Sequence, residues 1–274
     1  MFGTAIIVFR EVLEASIIIG IVAAATQNVP GSKRWLAAGL LMGLLGSGVV
    51  AASADVIGYF ASGVGQELFN AIVLGVAVLM LAWHNIWMTS HGAELAASAR
   101  TAGDDIQSGR SECSALMLIV GLAVLREGSE TVLFLYGIAA SETGGRSSMM
   151  LGGLIGMLSG IAVGYAIFAG LLSIPMRWFF TATSVLVLLL AAGMASQAAH
   201  FLIQADLLPS LASPLWDTSK ILPENGLTGM VLHSLIGYDS RPAGMQIVFY
   251  FTALLSIIAG MKWSASYRQR YTTK

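Results

Sequence analysis

Residues 9–16 read Phe9-Arg10-Glu11-Val12-Leu13-Glu14-Ala15-Ser16, and residues 125–132 read Leu125-Arg126-Glu127-Gly128-Ser129-Glu130-Thr131-Val132. Both octets set an Arg-Glu-x-x-Glu pattern inside a long apolar stretch. In a helix, Arg10 and Glu14 are four residues apart, as are Arg126 and Glu130, so each pair can bridge. Glu11 and Glu14 lie three apart on one face, and so do Glu127 and Glu130. Each charge near the centre of a membrane helix costs roughly 2.5–3.5 kcal/mol on insertion scales. A Leu, Ile, Val or Phe returns only about 0.3–0.6. Three charges per helix are tolerable only if they face protein or water and find partners.

The rest of the chain is a membrane protein by composition. Of its 274 residues 56% are hydrophobic and 11% charged, where a soluble domain averages about 25% charged. A net charge of −1 with scattered Lys and Arg offers no basic face for nucleic acid. The single cysteine, Cys113, excludes an internal disulfide. No charge precedes Arg10, so the first stretch reads as a retained span, not as a signal peptide. Seven segments hold the about 20 apolar residues a spanning helix needs: 2–27, 35–60, 67–89, 114–140, 148–174, 178–205 and 243–263. The start of the polar connection 90–113 can continue the third helix beyond the membrane. The connection 206–242 holds four of the six prolines and ends in a short capped helix between Asn225 and Gly237.

The octets also mark a repeat. Each is followed by a glycine-striped span, Gly39, Gly43, Gly46 and Gly48 answering Gly152, Gly153, Gly156, Gly160 and Gly164. The stripes read as close helix packing more readily than as a pore lining. Three spans separate the copies, an odd number, so they have opposite orientation. The predicted fold is therefore all-α and polytopic: seven transmembrane helices, built as a 3+3 inverted-topology repeat plus one extra helix. It forms a single transmembrane domain over 1–274, with repeat one at 1–90, repeat two at 114–205, an outer segment at 206–242 and the last helix at 243–263. Nine Lys and Arg fall on one side of this arrangement and three on the other. The positive-inside rule puts the N-terminus outside and the C-terminus in the cytoplasm.

Four glutamates and two arginines sum to −2, a charge that wants a cation. Oxygen ligands suit hard ions. A di-iron enzyme would need Glu-x-x-His pairs or clustered histidines. The chain has four histidines and no Glu-x-x-His, nor any nucleophile motif or phosphate loop, so no enzymatic activity is expected. Two local Arg–Glu bridges could pin helices together without any metal, but that role needs no second glutamate in either helix.

The two motifs, in spans one and four of a seven-span chain of this size, resemble the iron permease family, the fungal oxidase-coupled ferric permeases and their bacterial relatives. The resemblance covers nearly the whole chain, including Gly237, Tyr238 and Pro242 before the last span. The family motif is R-E-G-L-E. Here it stands as R-E-V-L-E at 10–14 and R-E-G-S-E at 126–130, so Val12 and Ser129 depart while every charge matches. The resemblance implies that Glu11, Glu14, Glu127 and Glu130 bind iron, with Arg10 and Arg126 in support. It implies an inner-membrane permease carrying Fe3+ or Fe2+ inward, with no cofactor beyond the transported iron and with a periplasmic iron-binding or cupredoxin-type partner. Another hard divalent cation such as manganese, or a metal-binding protein that does not transport, remains the alternative.

Other residues give weaker signals. Asp55, Glu67 and Glu142 fall at the outer side and read either as a cation-gathering rim or as solvated charges. His84 and His91, toward the inner end of span three, read either as an exit or as interface residues, the second fitting the sequence better. Trp35, Trp83, Trp87, Trp178 and Trp263 sit near span ends, as an aromatic belt does. Ser16, Ser129 and Thr131 either add hydroxyl ligands or bond a neighbouring carbonyl.

Overall fold

The computed structural model describes residues 1–61, 65–141, 146–170, 176–224 and 226–272. Eight helices carry the described chain: α1 (Phe2–Ala25), α2 (Ser32–Ala61), α3 (Gln66–Gln107), α4 (Ser114–Ser141), α5 (Arg146–Phe168), α6 (Met176–Gln204), α7 (Leu227–Ile236) and α8 (Gly244–Thr272). No strand occurs among the described residues. Helices α2, α3, α5, α6 and α8 each contain a window long and apolar enough to cross a membrane. At 24 and 28 residues, α1 and α4 are long and apolar enough too, and differ from those five in the three charges that each Arg-Glu-x-x-Glu motif puts near the helix centre. The chain is an all-helical, multi-pass membrane protein. Helix α3 runs for 42 residues, roughly 63 Å at 1.5 Å per residue, about twice the hydrocarbon thickness. Its apolar window ends at Trp87, and the polar connection that follows continues the same helix.

Glycine determines how the helices pair. Helix α2 packs along α4, and α5 packs along α1. A methyl group on Gly43 would lie 2.6 Å from Val124 Cβ and 2.8 Å from the Gly121 carbonyl oxygen. One on Gly160 would lie 2.9 Å from the Phe9 carbonyl oxygen and 3.0 Å from Val12 Cβ. Lipid tails are as apolar as leucine, so no hydrophobic effect drives these helices together, and close packing at small residues takes its place. The register is the same in both pairs. Gly39, Gly43 and Ser47 step along Met117, Gly121 and Gly128 of α4. Gly152, Gly156, Gly160 and Gly164 step along Thr4, Val8, Val12 and Ser16 of α1. Residue numbers rise together, so each pair is parallel. The opposite faces of α2 and α5, with Leu41, Leu45, Val49, Leu151 and Leu158, are exposed and suit acyl chains.

Helix α6 is the most enclosed of the apolar helices, 61% of its window being buried against 11% for α8. Its Val187, Ala191 and Met194 meet Ile7 of α1, Leu74 and Leu81 of α3, Phe134 of α4 and Ile257 of α8 in one core cluster. The segment before α8 folds back on itself. Leu215 N–H donates to Pro242 O at 2.8 Å and Thr218 N–H to Ser240 O at 3.0 Å. The Thr218 and Tyr238 hydroxyls share a hydrogen bond at 2.5 Å. Arg241 pairs with Asp217 at 3.0 Å. Ser219 and Arg241 together hold the Asp217 carboxyl down to about 2. Helix α7 ends at Gly237, whose φ of +67° is left-handed. A side chain there would also meet the backbone of Gly193 on α6, so both conformation and space demand glycine.

Candidate functional site

The two motifs repeat one local geometry. Arg10 Nε donates to Glu14 Oε1 at 2.9 Å, and Arg126 Nε donates to Glu130 Oε1 at 3.1 Å. The i, i+4 spacing sets both bonds, because residues four apart stack on one helix face. The surroundings differ. Arg10 is 1% exposed, and its second guanidinium nitrogen, Nη1, has no hydrogen-bond partner. Arg126 is about a third exposed, sits 3.9 Å from Glu127 Oε1, and lies over the Trp87 ring at 4.3 Å from its centroid. Trp87 was expected as an interface anchor; here its π face supports a guanidinium. Arg10→Lys is therefore expected to reduce iron uptake by about tenfold or more, and Arg126→Lys by only a few-fold. A compact ammonium cannot reproduce the fork at a buried site, while water can help at the exposed one. Uptake rates normalised to membrane-protein level check this; a larger loss in the Arg126 variant would contradict it.

The motifs converge. Carboxylate oxygens of Glu11, Glu127 and Glu130 lie within 4.8 Å of one another, and so do ligand atoms of Glu11, Glu14 and His84. Glu11 belongs to both groups. Glu11, Glu14, Glu127 and His84 are all buried. The Oε2 atoms of Glu11, Glu14 and Glu127 accept no hydrogen bond, while Glu130 Oε2 lies against His84 Nδ1. Three carboxylate oxygens buried without donors are costly, and a cation among them would satisfy all of them. His84 enters from α3: Nδ1 lies against Glu130 Oε2, and Nε2 is 3.8 Å from Glu14 Oε2. The sequence favoured an interface role for this histidine and all-oxygen ligation; the structure puts its ring among the carboxylates.

The hydroxyls turn away. Ser129 Oγ donates to Leu125 O and Thr131 Oγ1 to Glu127 O, each bonding the carbonyl four residues back. Ser16 lies against Gly164 of α5. Glu67 is exposed at the start of α3, about 17 residues and so roughly 25 Å from His84; it does not join the cluster. Glu142 lies outside the described residues, and the side chains of Asp55 and His91 are likewise not described. Two cavities flank the cluster along α1. A small one lies between Gly3, Ile138, Gln197, His233 of α7 and Gly237 just after it. A larger one lies at the other end, between Ser16, Gly20, Gly164 and the extension of α3 at Arg100 and Asp104.

Ionisable groups gathered in the middle of a multi-pass helical bundle define a membrane protein that handles cations. The chain belongs to the iron permease FTR1 family, whose model matches residues 1–265. It is 31% identical over 265 residues to the ferrous iron permease EfeU of Yersinia pestis, covering 93% of this chain and 91% of that one. The ferrous iron permease EfeU of Escherichia coli O6:H1 is 29% identical over 266 residues, with 93% of each chain covered. No solved structure matches the chain. Membership makes the chain a permease, with iron as its cargo.

Proposed function

We propose that this protein carries ferrous iron across the inner membrane through the cluster of Glu11, Glu14, Glu127 and Glu130. The observation that supports this most is the set of three buried carboxylate oxygens, of Glu11, Glu14 and Glu127, that come from two helices and accept no hydrogen bond. Charge favours the ferrous ion. Four glutamates and two arginines leave −2, which Fe2+ neutralises, whereas Fe3+ leaves a net charge in a buried site and incurs its desolvation. The curated relatives named above are ferrous permeases by name. An inside-negative potential supplies about 2.3 kcal/mol per charge per 100 mV, so roughly 5 kcal/mol for a divalent ion.

The architecture proposed around the site is seven spans in one transmembrane domain, 1–3 and 4–6 forming inverted repeats. The reciprocal pairing supports it: α1 lies on the second helix of the other repeat, and α4 does the same. Parallel pairs in matching register, combined with the short reversal at 26–31 between α1 and α2, make α1 and α4 antiparallel. The N-terminus is then periplasmic and the C-terminus cytoplasmic, with iron delivered at the outer face by a periplasmic partner that docks on 206–242. Purified protein in liposomes with an imposed inside-negative potential tests the core reading. Radioactive Fe2+ kept reduced by ascorbate should accumulate, and collapsing the potential should stop it. Accumulation of ferric citrate alone would overturn the ferrous reading, and strong zinc or copper transport without iron would overturn the iron site.

A further inference from the structure

We propose that His84 is a nitrogen ligand of the transported ion and that it makes the site prefer Fe2+ over Mg2+, Ca2+ and Mn2+. The inference rests on the reading of the glutamate cluster as the iron site. Neither motif contains a nitrogen ligand; α3 supplies this one from outside both. The imidazole is 3% exposed; its Nδ1 lies against Glu130 Oε2, and its Nε2 makes no hydrogen bond. A buried imidazole so placed is costly unless something else uses its lone pair.

Its neighbours say what. Nδ1 faces Glu130 Oε2, and Nε2 faces Glu14 Oε2 at 3.8 Å. A metal-bound histidine ordinarily presents one nitrogen to the ion and the other to a carboxylate that fixes the ring. Here Nε2 is the ligating atom, beside Glu14 and Glu11, while Glu130 orients the ring through Nδ1. Phe134 meets the ring edge to face, centroids 6.4 Å apart at 89°, and limits its rotation. The cluster thus divides into a mixed subsite of Glu11, Glu14 and His84 and an all-oxygen subsite of Glu11, Glu127 and Glu130, sharing Glu11. Carboxylates alone suit magnesium, calcium and manganese, whereas imidazole suits iron and the later metals. Abundant hard ions can enter the oxygen subsite but gain little from the mixed one.

The test is iron K-edge X-ray absorption on the full-length protein, purified in detergent and loaded anaerobically with one equivalent of Fe2+. The outer-shell scattering of one imidazole is expected in the wild type and in His200→Gln, and is lost in His84→Gln. In competition binding, the preference for Fe2+ over Mn2+ should fall on the order of tenfold or more in His84→Gln. A bound-iron spectrum without imidazole in the wild type overturns the assignment, whatever the variant does. So does imidazole scattering that persists in His84→Gln. If the wild type binds no iron and Glu11→Gln changes nothing, the glutamate site itself is wrong.

Discussion

Glu11→Gln and Glu127→Gln each remove iron uptake, by between about 30-fold and several thousand-fold, while the protein still accumulates in the membrane. The range follows from losing one member of a buried charged set, about 2–5 kcal/mol, at roughly 1.4 kcal/mol per factor of ten. Glutamine keeps the shape and one oxygen but removes the charge that offsets a divalent ion. The Oε2 atoms of Glu11 and Glu127 hold no hydrogen bond in the folded chain, so little packing depends on them. Glu14→Gln and Glu130→Gln behave differently. Each glutamate accepts a bond from its own arginine, so losing the charge also leaves a guanidinium undercompensated. These two variants are expected to lose thermal stability as well as transport. Uptake per unit of membrane protein, with melting followed in detergent, separates the two classes. Wild-type rates from well-expressed Glu11→Gln and Glu127→Gln would sink the site.

Gly156→Ala is expected to damage both folding and transport, although it adds one carbon far from any carboxylate. The added Cβ would lie 2.9 Å from the backbone nitrogen of Phe9 and 3.1 Å from Val8 Cβ. Phe9 directly precedes Arg10, so α1 must move away from α5 and take the motif with it. Overpacking a close-packed interface costs about 1–3 kcal/mol, and the lost backbone contact adds to that. Gly48 offers the control. A Cβ there meets nothing within 4 Å, so Gly48→Ala should leave transport unchanged and, by helix propensity, leave stability unchanged or slightly raised. The two alanine variants differ only in the space around the new methyl, so equal melting temperatures would remove the packing argument.

Much of this was legible in the sequence because membrane insertion leaves few options. Arg10, Glu11 and Glu14 cannot sit in lipid unaccompanied, so a second charged helix had to exist, and Arg126, Glu127 and Glu130 supply it. The glycine stripe at 39–48 and its counterpart at 152–164 were readable as contact surfaces, since a pore lining would not need the smallest residue every fourth position. The short helix α7 was legible between Asn225 and Gly237 as an apolar run with turn residues at both ends. His84 was not. It lies near the end of the apolar window of α3, where an interface role is the ordinary one. Which face of α3 meets the motifs depends on the tilt and rotation of a 42-residue helix, set by packing against α4 and α6 and not by its own sequence. The same rotation brings Trp87 under Arg126. A limit on charged residues per span also misjudges α1 and α4, because the three charges of each motif are the ones that exceed it.

The pairing of α1 with α4 and α5 sets a waiting time during synthesis. Roughly 110 residues separate Glu14 from Glu127, and at about 5–20 residues per second the ribosome needs on the order of 10 s to cover them. Through that interval the first charged helix has neither its carboxylate partners nor the glycine face of α5 to lie against. It has to wait in the translocon or at the membrane surface until the second half of the chain arrives. The charges of the motif thus make the first helix dependent on a stretch of chain that does not yet exist when that helix first meets the membrane.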